Sequence, residues 1–574
     1  MSKKVGELVV DVLAQNNVKR VYGLPGDSLN GITDAIRAHG DIEWVHVRHE
    51  ETAAFAAGAD AQLTGGLAVC AGSCGPGNTH LINGLYDCNR SRVPVLAIAA
   101  HIPTSEIGGE FFQETHPERI FGDCSVFVEM ISHPSQMPRV LEIAIQTALA
   151  KRGVAVIVIP GDIALQNASE ASPRVLAPNM ESVARPSEGA LRIAADLINA
   201  GDKVTILAGA GCAGAHDELM EIAGHLQAPI VHTVRGKDAV EYNNPYNCGL
   251  TGLIGYSSGY HAMKDCDVLL MLGTDFPYRQ FYPDDAKVVQ VDQRLEQMGR
   301  RTKVHGALVG DVKETLKLLT PLLEERTDRG HLDRAVNHYR NVRKDLDKLA
   351  VGIPGHKPIH PQYVARLINE LASEDAVFTC DVGANTIWSA RYLEMNGERR
   401  LLGSFNHGSM ANALPQAIGA QVAFPKRQVV SLSGDGGAAM GLGDLLTLQQ
   451  MNLPVKVVVF ANGALAFVEL EMKASGFVSF GTDLSQPNFA TIAQASGMLG
   501  IRVEDPADLR DALSKAFAHD GPALVEVVTA RQELSMPPTI QMEQAKGFSL
   551  WAIRTVLNGK GDELIDLART NLWR

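Results

Sequence analysis

Two short stretches in the last third of the chain combine residue types that can hold a cation and an anion together. In QVVSLSGDGGAAM and PVKVVVFANGALAF a β-branched run leads into a polar turn, and Asp435 and Asn462 stand 27 residues apart. If the two runs are neighbouring strands of a parallel sheet, their turns lie side by side at the carboxyl edge, where such sheets bind ligands. Asp435, the Asn462 amide and a carbonyl near Ala464 then offer three oxygens to one hard cation. Mg²⁺ would keep its other octahedral positions for water and two phosphate oxygens. Gly434, Gly436 and Gly437 let backbone amides approach an anion at the start of a following helix. Gly-Asp-Gly alone is a common turn; the Asn at this distance adds the chemistry.

Other residues carry weaker signals. Glu50 in VRHEETAAFAAGADA reads by itself as a carboxylate at the start of an Ala-rich helix, and Glu51 is given that plain role. Met410, in SFNHGSMANALPQAIGA with Gly408 and Ser409, reads by itself as core filler. Gly209-Ala-Gly-Cys-Ala-Gly follows the run KVTILA, but a lone G-x-G-x-x-G is weak. Asp292, closing KVVQVD, suits a ribose hydroxyl or merely a soluble strand end. The turns Tyr22-Gly-Leu-Pro-Gly-Asp-Ser and Gly75-Pro-Gly-Asn are scaffolding. No Gly-Lys-Ser/Thr phosphate loop occurs, which disfavours an ATP-binding regulatory protein.

These residues need a scaffold that gathers strand ends. The apolar runs LAVCA, VPVLAIAA, VAVIVIP, KVTILAGAG, DVLLMLGTD, KVVQVD, AVFTCD, QVVSLSGDGG, PVKVVVFAN and ALVEVV alternate with longer amphipathic stretches. That is the pattern of buried parallel sheets in an α/β protein. A chain of 574 residues exceeds one core. A polar stretch over 167–188 and a charged helical pattern over 324–348, followed by AVGIPGHKPIHP, mark linkers. The expectation is three doubly wound parallel-sheet domains, 1–180, 181–340 and 341–530, with a tail over 531–574. Arg92-Val-Pro-Val and Gly153-Val-Ala-Val are echoed by Leu453-Pro-Val-Lys and Gly521-Pro-Ala-Leu. Pro94 to Gly153 spans 59 residues and Pro454 to Gly521 spans 67. Two copies of one fold around a different domain would give that echo, as would chance among αβ units.

Composition excludes several classes. A formal net charge of −13 opposes a nucleic-acid partner, which needs a basic surface. No apolar run reaches a membrane span and the first residues do not form a signal peptide, so a cytoplasmic location is expected. The eight cysteines show no Cys-x-x-Cys pair and read as buried free thiols.

Paired as they are, the Asp435 and Asn462 turns resemble the cofactor motif of the thiamine diphosphate-dependent enzymes, although Ala461 stands where that motif often has a first Asn. The resemblance implies a site for thiamine diphosphate and Mg²⁺, the metal held by Asp435, Asn462 and the Ala464 carbonyl, the diphosphate beside Gly436 and Gly437. It implies that Glu50 bonds N1′ of the aminopyrimidine, where a shared proton generates the reactive imino tautomer. Gly408, Ser409 and Met410 would support the pyrimidine, Met410 as the wedge that bends the cofactor. In flavin-containing members the middle domain holds FAD. Matching segments here are Thr251-Gly252-Leu253-Ile254, Thr274-Asp275-Phe276-Pro277-Tyr278 and Asp292. Phe112 and Gln113 in EFFQETHP resemble the loop near the flavin and the reacting centre.

From RHEETAAFAAGADAQL and CAGSCGPGN through EQAKGFSLW to GKGDELIDLARTNLWR, the chain is similar to the bacterial quinone-dependent pyruvate dehydrogenases, or pyruvate oxidases. That implies conversion of pyruvate to acetate and CO₂, with electrons passing through FAD to ubiquinone. It also implies a homotetramer whose sites form between the first domain of one subunit and the third of its partner. Leu564, Ile565, Leu567, Ala568 and Leu572 give the tail an apolar helical face, with Trp573 near its end and Lys560, Arg569 and Arg574 for anionic lipid. Pattern alone would dock that helix on its own protein; the resemblance implies release to membrane lipid at the inner face of the cell membrane when the flavin is reduced. Phe467, otherwise a core aromatic, would then enter the site. The alternative is an acetohydroxyacid synthase, a transferase whose FAD has no redox role.

Overall fold

The computed structural model describes residues 3–168, 183–534, 542–558 and 560–572. Within them lie three six-stranded parallel sheets with helices between the strands. The first comprises β1 (Arg20–Gly23), β2 (Glu43–His46), β3 (Ala68–Gly72), β4 (Val95–His101), β5 (Phe127–Met130) and β6 (Val154–Pro160), in the order β2-β1-β3-β4-β6-β5. The middle sheet comprises β7 (Val204–Ala208), β8 (Ile230–His232), β9 (Asn247–Leu250), β10 (Val268–Leu272), β11 (Lys287–Asp292) and β12 (Gly306–Val309), in the order β12-β11-β10-β7-β8-β9. The last comprises β13 (Val377–Cys380), β14 (Arg400–Gly403), β15 (Val429–Gly434), β16 (Lys456–Ala461), β17 (Leu499–Val503) and β18 (Ala523–Val528), in the order β14-β13-β15-β16-β18-β17.

The first and last sheets therefore share one topology. The segments that echo each other in sequence begin equivalent neighbouring strands: Val95 pairs with Val154 and Lys456 with Ala523. The middle sheet has the dinucleotide-binding order, reversing between β7 and β10. All ten apolar runs are strands, buried on both faces because helices cover them.

Small residues set how the domains meet. The Glu50–Thr64 helix packs against the Pro76–Ser91 helix of its own domain and the Ala413–Ala423 helix of the last. A Cβ on Gly419 would fall on the Ala56 carbonyl, and one on Gly84 would stand 2.5 Å from the Ala54 Cβ. Ala and Gly here let three backbones approach closely and hold the start of the Glu50–Thr64 helix rigidly.

The tail forms two helices, Met542–Leu557 and Asp562–Leu572. The first lies on the Ala466–Ala474 helix: Trp551 is fully buried with Lys473 Nζ 5.2 Å from its ring centre. Asn571 closes the second by donating to the Gln532 carbonyl at 2.8 Å and accepting from the Leu534 amide at 3.1 Å. Leu564, Leu567 and Ala568 are half-buried, and only Ile565 of that expected face is exposed. The apolar stripe that faces solvent lies instead on the preceding helix, at Leu550, Ile553, Val556 and Leu557, because Asp562–Leu572 uses its own stripe for docking. Trp573, Arg574, the Leu572 side chain and most of the first linker lie outside the described residues. No described helix is long and apolar enough to cross a membrane.

All eight cysteines are buried and free. Burial pushes the thiols of Cys70, Cys124, Cys212, Cys266 and Cys380 up to about 12, leaving almost no thiolate. In the folded protein at pH 8 these five should resist a thiol-specific disulfide reagent and react only after denaturant is added, as mass spectrometry of the labelled peptides would show.

Candidate active site

β15 and β16 are neighbours, with Gly434 opposite Phe460, so their turns do lie side by side. Asp435, first residue of the Asp435–Met440 helix, ties them together. Its Oδ1 accepts the Gly436 amide at 2.9 Å, and its Oδ2 accepts the amides of Asn462 at 3.0 Å and Gly463 at 2.6 Å. Asn462 Oδ1 in turn accepts the Ala464 amide at 2.9 Å. Burial raises the Asp435 carboxyl pKa and these amides oppose it. Ala464 bridges to Asp483, but the hydrogen bonds of that bridge use the Gly463 carbonyl and the Leu465 amide. The side-chain oxygens of Asp435 and Asn462 are thus gathered at one turn beside a helix N-terminus. That donor set fits a hard cation with a diphosphate.

Met410 reaches the same place: its Cε stands 3.0 Å from where a Cβ on Gly436 would be, with Leu465 Cδ2 at 3.1 Å. Gly408, at φ +83°, permits the turn before it. Three segments distant in sequence, 408–410, 434–437 and 462–465, therefore converge.

Glu50 begins the Glu50–Thr64 helix and is 5% exposed. One carboxylate oxygen lies 2.9 Å from His80 Nδ1; the other stands 3.0 Å from where a Cβ on Gly77 would be. His80 stacks on His49 at 4.2 Å. Glu51 does more than the plain role expected of it. It accepts from Asn83 Nδ2 at 2.6 Å, and the same nitrogen donates to Ser409 Oγ at 2.9 Å. A helix-start carboxylate normally faces its own amides; here the turn of the Pro76–Ser91 helix offers a better donor. Among the described residues no hydrogen bond joins Glu50 directly to Asp435 or Met410. His80 and Asn83 escaped the sequence reading because their roles depend on two helices crossing, which spacing along one helix does not reveal.

Asp87, further along the Pro76–Ser91 helix, is buried where the three domains meet. It accepts from Ser404 Oγ at 2.7 Å and Gln416 Nε2 at 3.4 Å, while Arg235 of the middle domain acts on it through space. Burial outweighs these partners and pushes its carboxyl up to about 6.

In the middle domain the loops after β7 and β10 touch at the point of reversal. The Gly211 amide donates to the Gly273 carbonyl at 3.0 Å, and a Cβ on Gly209 would stand 2.5 Å from Thr274. Thr251 is 2% exposed and its Oγ1 has no protein partner. Gly252 adopts φ +101° with the Phe276 ring close against it, and Tyr278 packs edge-on to that ring. Leu253 is exposed, whereas the Ile254 carbonyl accepts from Arg391 at 3.0 Å. Asp275, ahead of Pro277, pairs with Arg92 at 3.2 Å. Asp292 is buried, accepts the Arg294 amide at 3.0 Å, and has its pKa raised by that burial despite Arg92 and Arg294. An orphaned hydroxyl, a buried carboxyl and nearby guanidinium groups at a sheet reversal fit an anionic dinucleotide such as FAD. Arg235 and Arg294 were not singled out from sequence, and Arg92 only as the start of an echoed segment, because one arginine looks like another there.

Two aromatics sit less centrally. Phe112 is 77% exposed, while its neighbour Gln113, at φ +63°, closes on Gly75 and accepts from Cys74. Phe467 is half-buried against the core of the last domain.

Comparison with known proteins bears on this geometry. Family profiles described as "Thiamine pyrophosphate enzyme" match in order: the N-terminal TPP binding domain over residues 3–120, the central domain over 191–319 and the C-terminal TPP binding domain over 381–527. A Bacillus subtilis protein, YdaP, provisionally described as thiamine pyrophosphate-containing, is 36% identical over 573 residues, covering 99% of each chain. The pyruvate oxidase of Lactiplantibacillus plantarum is 32% identical over 540 residues, 91% of this chain and 88% of that one. The chloroplastic acetolactate synthase of Arabidopsis thaliana is 30% identical over 561 residues, 93% and 82%.

The Asp87 junction yields a pH dependence with a definite sign. A carboxyl whose folded pKa lies above its unfolded value binds more protons when folded, so stability falls as pH rises from about 4 to about 6 and is level above. Asp87→Asn should remove its share of that slope, worth about 3 kcal/mol, so the variant's melting temperature minus the wild type's should rise across this window. A constant difference would contradict the assignment.

Proposed function

The chain belongs to the thiamine diphosphate-dependent enzymes, and from that premise we propose that it oxidatively decarboxylates pyruvate to acetate and CO₂ and passes the electrons through FAD to ubiquinone at a membrane. The observation that carries the reading is the convergence of Met410, Gly436 and the Asp435–Asn462 pair on one turn. There Asp435, Asn462 and the Ala464 carbonyl would hold Mg²⁺, and amides at the start of the Asp435–Met440 helix would face the diphosphate.

When bound, thiamine diphosphate supplies an electron sink at the keto carbon and FAD supplies a two-electron acceptor. The protein's own part is to position groups and move protons. Glu50 would share a proton with the aminopyrimidine N1′, and its burial beside Gly77 with His80 at 2.9 Å fixes its carboxylate. Gly408, Ser409 and Met410 support the ring, with Ser409 steadied by Asn83. Thr251, the loop over 274–278 and Asp292 would hold the flavin nucleotide. Glu50 and the cation turn belong to different domains, and the reading places a partner subunit's turn opposite Glu50 in a homotetramer. Phe112 and Phe467 would then lie at that shared face.

The pyruvate oxidase and acetolactate synthase relatives match almost equally well, so the flavin is the discriminating reporter. Pyruvate added without oxygen to the FAD-loaded enzyme should bleach the oxidised-flavin absorbance, and Glu50→Gln should slow bleaching about a hundredfold or more while both cofactors stay bound. Accumulation of acetolactate with the flavin still oxidised would overturn the reading in favour of a synthase.

The membrane step draws support from the exposed stripe of Leu550, Ile553, Val556 and Leu557 on a helix anchored through Trp551, an arrangement suited to an interface. Ile553→Asp combined with Leu557→Asp should leave pyruvate–ferricyanide turnover unchanged and abolish stimulation by anionic lipid vesicles. Full retention of the vesicle response would remove the tail from the scheme.

A further inference from the structure

Asp381 takes no part in the chemistry above, yet it lies beneath two of the three segments that form the cation turn. It follows β13 directly and is 2% exposed. Its backbone is fixed: the amide donates to Leu432 in β15 at 3.0 Å, and the carbonyl accepts from Thr386 Oγ1 at 3.0 Å. Its side chain points away from that anchor toward the site. Oδ1 accepts the Ala413 amide at 2.9 Å, at the start of the Ala413–Ala423 helix. Oδ2 is buried without a hydrogen-bond partner.

The orphaned oxygen has a specific neighbour. A Cβ on Gly437 would fall directly on Asp381 Oδ2, and the Ala411 amide nitrogen would be 3.3 Å from that same Cβ. Gly437 has an ordinary negative φ, so backbone freedom does not explain the glycine there. The carboxyl does: it occupies the space a side chain would take. Burial pushes this carboxyl up to about 6, with the Ala413 amide, the Ser433 hydroxyl and the Asn412 amide opposing the shift.

We propose that Asp381 is a positioning residue for the diphosphate, a buried wedge that locks the Met410–Ala413 segment to the first turn of the Asp435–Met440 helix and so aims that turn's amides. The inference rests on the thiamine diphosphate reading of this turn. The wedge acts through Gly437 and Ala413 and touches neither cation nor substrate. It also explains why Met410 and Gly436 stay in register although they come from different loops.

The test measures thiamine diphosphate affinity in excess Mg²⁺ by titration calorimetry on the FAD-loaded protein, so no turnover is needed. Asp381→Asn keeps the shape and one acceptor oxygen and should bind within roughly threefold of wild type, whereas Asp381→Ala should bind about tenfold or more weakly with melting temperature and flavin content retained. Gly437→Ala should also weaken binding in the wild-type background, and far less in the Asp381→Ala background, where the added methyl has room. Wild-type affinity in Asp381→Ala, equal losses in the Asn and Ala variants, or losses at 381 and 437 that simply multiply would each overturn the proposal. So would loss of flavin and thermal stability in parallel with affinity, since that marks general damage. If the wild-type protein itself fails to bind thiamine diphosphate, the reading of the turn fails, an outcome distinct from all of these.

Discussion

One carboxylate holds the site together. Asp435 Oδ2 collects the amides of Asn462 and Gly463 while Oδ1 collects Gly436, so two strand ends that share only a sheet edge become one rigid turn. Amide donors to a carboxylate are charge-assisted and stronger than neutral pairs. Here they act in a partly desolvated place where leaving them unmade would be expensive. The backbone of Asn462 and Gly463 is held in place by this grip, beside the start of the Asp435–Met440 helix.

That turn sits where it does because of the sheet order. In both outer domains the third and fourth strands are central neighbours, so β15 and β16 end side by side with helices covering both faces. The same topology in the first domain positions Glu50 by other means. The Ala-rich Glu50–Thr64 helix is clamped between two helices at backbone contact, Gly84 on one side and Gly419 on the other. The two outer domains thus supply a carboxylate from a helix start in one case and a strand-end turn in the other. Between them the middle sheet reverses at β7 and β10, and its loops receive Arg92 from the first domain and Arg391 from the last, so the middle domain's crevice is not built by that domain alone.

What the sequence made legible follows from period and length. Long apolar runs such as VPVLAIAA and VAVIVIP are buried on both faces and could only be central strands. β8, with three residues, and β1, β2 and β12, with four, carry too little pattern to separate from loops. The Asp435–Asn462 pairing was readable because both residues follow such central runs. The roles of His80, Asn83, Asp87 and Asp381 were not, since each acts across a helix crossing or between domains. The tail shows the same limit in another form: its amphipathic period was visible at Asp562–Leu572, but a period does not say whether an apolar face meets protein or solvent. The docked contacts of Asn571 and the exposure of Ile553 and Leu557 decide that.

The tail's docking site ties it to the chemistry. The Ala466–Ala474 helix begins two residues after Ala464 and carries Glu469 and Lys473 on its buried face. Glu469 pairs with Arg531 and accepts from Thr482, and Lys473 lies under Trp551. Backbone contacts of Gly547 with Ala474 fix the tail helix against the end of the same element. A displacement of the tail would uncover a buried ammonium and change the setting of a helix whose first turn leads back to Ala464 and Phe467. Burying Lys473 lowers its pKa through desolvation, which Glu469 and Glu563 partly offset; Glu563 belongs to the tail. Releasing the tail would therefore remove an apolar lid and a compensating charge together. This one short helix thus meets the tail along its buried face and adjoins Ala464 at its start.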